Sequence, residues 1–283
     1  MASAPTLLPA RSWPDLVFHV LAHVAGTGHL PASLYDPVYV DHAAQHLGPA
    51  AERPLGEDAA TLAQVLPSHE QLARAQLLAW LFDDVGQAAR SADRELAALV
   101  PDEVARPGLL AALQAAGPAV EVLRCAALLE QEAHGQLPAP VLQPEVLLAA
   151  LAEVAGVAPR LAACDLLPVR ALRLRGRLFG TEIWVGVPAP EPLLDVAHVA
   201  WQAAHEATVG EVKQMALETG SGLAERQVEA VALVVLAERA AASAQARSHR
   251  HWLGHFGEPG PNVARSGLSQ VEQDVLTACL EPA

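Results

Sequence analysis

The sequence predicts a mainly helical chain with one β-hairpin, an α+β fold. Three observations carry this. Most of the chain is rich in alanine and leucine and is cut into helix-length pieces by Gly and Pro. The apolar period changes near residue 169, where Val169 to Arg175 alternates, and Thr181 to Val187 alternates again. After Pro188, Pro190 and Pro192 the helical period returns.

The elements follow in order. Trp13-Pro14-Asp15 opens a helix that runs to Gly26. Asp36 followed by Pro37 forms a cap and first turn, and Gly48 ends that helix. Ser68 with Gln71 reads as a capping box ahead of a helix from Leu72 to Val85. Ser91 begins another, to about Leu99. Helices over 109–116, 118–134 and 144–155 are each bounded by Gly or Pro. The turn of the hairpin falls at Gly176-Arg177 or Phe179-Gly180. A helix carrying His205 comes next, then one from about Leu223 to His251, and Ser269 caps a short last helix. The expected division is a helical N-terminal region over 1–165, and a hairpin plus helical region over 166–283.

Composition narrows the function. The chain has 283 residues, 52% of them hydrophobic, enough for a sizeable core. Its formal net charge of −14 disfavours nonspecific binding to nucleic acid or to an anionic membrane. Cys125, Cys164 and Cys279 are scattered and form no Cys-x-x-Cys, which reads as reduced thiols in a cytoplasmic protein. The most apolar run, Val228 to Ala237, is short for a membrane span and contains Glu229.

His205 and Glu206 are the most informative pair. They begin a His-Glu-x-x-His pattern, but Val209 stands where the second histidine belongs. Nineteen residues separate Val209 from Glu229, which is followed by Ala230. This segment resembles the active site of a gluzincin, a thermolysin-type zinc metallopeptidase, that has lost a ligand. The resemblance covers about residues 169–240. It implies His205 and Glu229 as zinc ligands and Glu206 as general base. Residues four apart on a helix share a face about 6 Å apart, so two histidines there reach one ion. Catalytic zinc needs three protein ligands and a water. Valine has no lone pair to give, and His198, seven residues before His205, is about 10.5 Å away along the axis. Leu233 occupies the position where the family has an acidic residue behind the ligands, and His249, His251 and His255 are the candidates for its oxyanion-stabilising residue. The expectation is a pseudoenzyme with no catalytic residue and no metal or other cofactor. An active zinc enzyme with Glu206 as base is the alternative, and a structural helical scaffold is a third.

Arginines cluster at the hairpin. Arg173, Arg175 and Arg177 share parity and would line one face of a strand, with Leu172, Leu174 and Trp184 beside them. These six residues are the expected peptide-binding site. An exposed strand edge takes an extended acidic peptide by main-chain hydrogen bonds, and arginines select carboxylates. Charge on an edge also serves to prevent aggregation, which is the competing explanation. In gluzincins the strand ahead of the zinc helix pairs with substrate backbone, so a degenerate member keeps that edge after losing the metal. The combination resembles the small peptide-binding proteins of crocagin-type pathways, which make ribosomally synthesised, modified peptides. That implies a precursor (leader) peptide and its modifying enzymes as partners. His19/His23, His42/His46 and His251/His255 have the four-residue spacing of helical metal pairs, but amphipathic packing explains them better.

With Val209 and Leu233 in place of a ligand and an acid, the purified protein is expected to carry no stoichiometric zinc. Elemental analysis checks this. One equivalent of zinc that is lost on mutating His205 or Glu229 would contradict it.

Overall fold

The computed structural model describes residues 5–8, 11–25, 35, 37–47, 56–66, 69–133, 144–172, 176–186, 196–254 and 264–281. Helices dominate. They are α1 (Ser12–Ala25), α2 (Pro37–Leu47), α3 (Gly56–Val65), α4 (His69–Leu81), α5 (Val85–Arg90), α6 (Ala105–Ala133), α7 (Pro144–Ala155), α8 (Val196–Glu218), α9 (Glu225–Ala241), α10 (Ala246–Gly254) and α11 (Gln270–Leu280). A π-helical turn, Ala92–Leu96, runs into Ala97–Leu99. The strands are β1 (Thr6–Leu7), β2 (Asp165–Val169), β3 (Gly176–Phe179) and β4 (Glu182–Gly186).

The strands form one mixed sheet in the order β1-β2-β4-β3. β1 and β4 both run parallel to β2, while β3 is antiparallel to β4. The expected hairpin is present, but its first strand is Gly176–Phe179, not 169–175. Gly180, at φ 60, makes the tight turn that pairs Phe179 with Glu182. Val169 instead ends β2, Arg170 and Ala171 form a turn, and Leu172 makes a single bridge to Tyr35. Arg173, Leu174 and Arg175 lie outside the described residues.

Both faces of the sheet are covered. Leu167, Val169 and Trp184 join a core built with Val17, Phe18 and Leu21 of α1 and Leu109 and Leu113 of α6. Leu166, Ile183 and Val185 join a second core with Leu147 and Leu151 of α7 and Val199, Ala200 and Ala203 of α8. Contacts cross residue 165: α7 packs on α8, and β1 pairs with β2. The helices expected over 109–116 and 118–134 are one helix, α6, with Pro118 inside it. Proline there removes one backbone hydrogen bond, but Leu113, Ala116, Val120 and Leu123 stay buried across it. Among the described residues, no helix is long and apolar enough to cross a membrane.

Polar links tie α1 to its neighbours, among them Trp13 Nε1, which donates to the Leu78 carbonyl of α4 at 3.0 Å. The Arg170 N–H donates to Asp15 Oδ1 at 3.1 Å, and Asp15 is buried. His19 Nδ1 and the Tyr39 hydroxyl are hydrogen-bonded at 2.9 Å. Burial, reinforced by His23, lowers the His19 pKa to about 3. A buried neutral histidine takes up its proton only after unfolding when the pH lies between about 3 and 6.5, so stability falls as pH drops through that window. His19 should cost about 2–3 kcal/mol between pH 7 and pH 4.5. Denaturant titrations at the two pH values check this: His19→Gln should lose less stability on acidification than wild type by about that amount.

Candidate functional site

The site is built on α8. From His198 to Gly210 every residue of this helix is buried, because α7, α9, α10, α11 and the β3–β4 hairpin pack around it. An all-round buried helix is ordinarily apolar. This one carries His198, Gln202, His205, Glu206 and Thr208 into the interior. Thr208 satisfies itself by donating to the Ala204 carbonyl at 2.8 Å. The other four need partners.

Glu206 lies under β3. A methyl group at Gly176 would sit 2.6 Å from Glu206 Cγ, so only glycine lets the strand backbone pass over this side chain. One turn further along α8, a methyl at Gly210 would sit 2.4 Å from Leu178 Cδ2. Arg160 donates to the Gly210 carbonyl at 3.1 Å. The two glycines thus bring helix and edge strand into close contact.

Glu206 Oε1 accepts from Gln202 Nε2 at 3.2 Å and lies 3.4 Å from His205 Nδ1. Burial pushes its carboxyl pKa up, but His205, Arg177 and Lys213 outweigh burial and hold it below the ordinary value. Glu206 is therefore a charged carboxylate at neutral pH.

On its other side His205 meets α10. Its ring centroid is 5.8 Å from that of Trp252, and His249 lies 5.6 Å from the same indole. His198 is 6.4 Å from Trp252, and Trp201 is 4.9 Å from His249. Trp201 Nε1 donates to Ser248 Oγ at 2.8 Å and so fixes α10 to α8. Burial, helped by His205, lowers the His249 pKa to about 4, so this imidazole is neutral near pH 7. Gln202 Oε1 and His249 Nε2 are buried with no hydrogen-bond partner among the described residues.

The expected residues separate into distinct places. His205 and Glu206 point inward, 4% and 5% exposed. Glu229 is exposed on α9, because α9 turns Val228, Val231, Ala232 and Val235 toward the core and residue 229, about 100° round the helix from Val228, falls outside that face. Val209 packs with those four residues in a third core, and Leu233 borders the second. The structure thus turns Glu229 to solvent and His205 to the interior. Among the described residues, no group of three His, Cys, Asp or Glu side chains could hold a metal ion. Of the oxyanion candidates, His249 joins the site, His251 is exposed, and His255 lies outside the described residues.

Leu172 and Trp184, expected on a peptide surface, are instead fully buried core residues, since Trp184 packs on Phe18 and Phe179. Arg177 is half-buried and donates from Nε to Gln76 Oε1 at 3.3 Å, while Gln76 donates to the Tyr35 hydroxyl at 2.9 Å. Gln202, Trp201 and Trp252 were not expected in the site. Gln202 sits four residues before Glu206, a spacing that brings two helical side chains together. Nothing in the sequence pairs α10 with α8. Compared with family models, with curated proteins and with solved structures, the chain matches none.

Val209→His restores the letters of the zinc motif and tests this geometry. It places an imidazole among Val228, Val231 and Val235 while Glu229 stays outside. The variant should be destabilised by about 1–3 kcal/mol in denaturant titration and gain no zinc by elemental analysis. A stable variant holding one zinc would show that Glu229 turns inward.

Proposed function

We propose that the protein binds an extended peptide without catalysis, by adding it as a strand to the outer side of β3. The observation that carries this reading is the place of β3. It is the last strand of the sheet, and among the described residues no strand pairs with its outer side. In an antiparallel pair, alternate residues turn their N–H and C=O groups away from the partner. Such an edge is a template for a further strand. α8 and its two glycine contacts hold β3 from below, so the edge is fixed before a peptide arrives.

The gluzincin resemblance supports the same reading. In those enzymes the strand ahead of the zinc helix receives substrate backbone; here β4 stands directly ahead of α8, and its hairpin partner β3 carries the edge above Glu206. Val209 and the outward Glu229 leave Glu206 as a buried carboxylate without the ligand set that would activate water. The peptide is the precursor of a peptide-modifying pathway, presented to partner enzymes. The arginines around β3 favour acidic side chains along it.

Titration calorimetry with peptides encoded beside the gene tests the proposal. Wild type should bind one of them. Replacing Arg173, Arg175 and Arg177 by serine should weaken binding by at least about tenfold, since charge-assisted bonds contribute roughly 1.5–3 kcal/mol each when shielded and less when exposed. Added salt should weaken wild type more than the variant. Equal affinity in a folded variant would place the peptide elsewhere.

A further inference from the structure

Trp80 is the outlier among five tryptophans. Trp13, Trp184, Trp201 and Trp252 are at most 8% exposed, whereas Trp80 is 46% exposed. Next to it, Leu81 is 43% exposed. Tryptophan offers the largest apolar surface of any side chain and is enriched at the centres of binding interfaces.

The ring stands at the end of β3. A methyl group at Gly180 would lie 3.5 Å from Trp80 Cζ2, so the indole rests on the turn that closes the hairpin. Gln76 is one turn earlier on α4, on the same face, and holds Arg177 of β3. α4 therefore runs along the hairpin from Arg177 to the turn. Glycine at 180 has no side chain to cover the ring.

Charge selects the occupant. Asp83 and Asp84 follow Trp80 closely and are exposed, and Glu182 opens β4 just beyond the turn. The exposed cation paired with Glu182 is Arg11, at 3.5 Å. The chain as a whole carries −14. An electron-rich indole face on an acidic chain favours a cation, and tryptophan is the strongest aromatic partner for one. Lysine and arginine also bring an aliphatic stem that lies along apolar surface while the charged head stays in water. Leu81 supplies such a surface.

We propose that Trp80 is the side-chain anchor of the β3 site and takes a lysine or arginine of the bound peptide. The inference rests on strand addition to β3. A strand added there lies about 4.8 Å from β3, with alternate side chains rising on the α4 face, and one of these reaches the indole. The preferred peptide carries both signs: a carboxylate near Arg177 and a cation at the turn end.

The test uses capped ten-residue Ser/Thr/Val host peptides with one Arg, Ala or Glu guest, and a copy of the Arg peptide N-methylated at alternate residues. Each is titrated by calorimetry into the full chain as wild type, Trp80→Ala and Trp80→Phe. The Arg guest should bind wild type about three- to tenfold more tightly than the Ala guest. That preference should vanish in Trp80→Ala and persist in part in Trp80→Phe, and N-methylation should abolish binding. Equal binding of Arg and Ala guests, or an Arg preference that survives Trp80→Ala, overturns the anchor. If N-methylation still abolishes binding in that case, strand addition stands. Unchanged binding of the N-methylated peptide, or no binding by any host peptide, overturns strand addition and the anchor with it.

Discussion

The close approach of α8 to β3 is the contact on which the rest of the architecture depends. It is made by the absence of two side chains. Gly176 lets strand backbone pass over Glu206, and Gly210 admits Leu178 and the Arg160 head. A β-carbon at position 176 would force Glu206 to move, and one at position 210 would displace the end of the Leu178 side chain. With the two in contact Glu206 is buried, and its charge must be compensated largely inside the protein. Burying an ion costs several kcal/mol even after relaxation, so its partners are structural requirements. Gln202 donates to it, His205 lies beside it, and Arg177 and Lys213 add positive potential. The fixed edge of the sheet and the charged interior of the helix are two consequences of one contact.

That interior is polar on one side of α8 and aromatic on the other. Trp201 and Trp252 stack at 6.3 Å between the two helices, and three histidines surround them. The acid–base states differ from one group to the next. Glu206 is held charged, while His249 is held neutral. Such splitting is common where chemistry is done, but it also arises wherever a charge must be balanced in a core. Here the third expected ligand lies on the solvent side of α9, and the second is a valine inside an apolar cluster.

Much of the helical frame was legible because it is punctuated locally. Ser269 stands at the N-cap of α11, as expected, and its N–H donates to Glu272 Oε2 at 2.6 Å. The break between α9 and α10 has no Gly or Pro. Ser243 makes it, donating to the Ala240 carbonyl at 2.8 Å and accepting from the Gln245 N–H at 3.1 Å. Serine in an alanine-rich run does not announce such a role. β2 was hidden for a different reason: it is covered on both faces, so Leu166, Leu167 and Val169 do not alternate. The alternation at 169–172 belongs to a strand end, a turn and one bridge. In the site, His205 and Glu206 were visible as neighbours on one helix. His249 and Trp252 reach them only through the packing of α10, which no local pattern encodes.

Hydrogen exchange at the β3 backbone tests the central claim most directly. In the free protein, the amides of residues 176–179 that face away from β4 should exchange faster than those of β4. Added peptide should slow those outward amides and leave α8 unchanged, because the helix is already buried. Protection that appears on α9 or α10 instead, with β3 unaffected, would contradict the account.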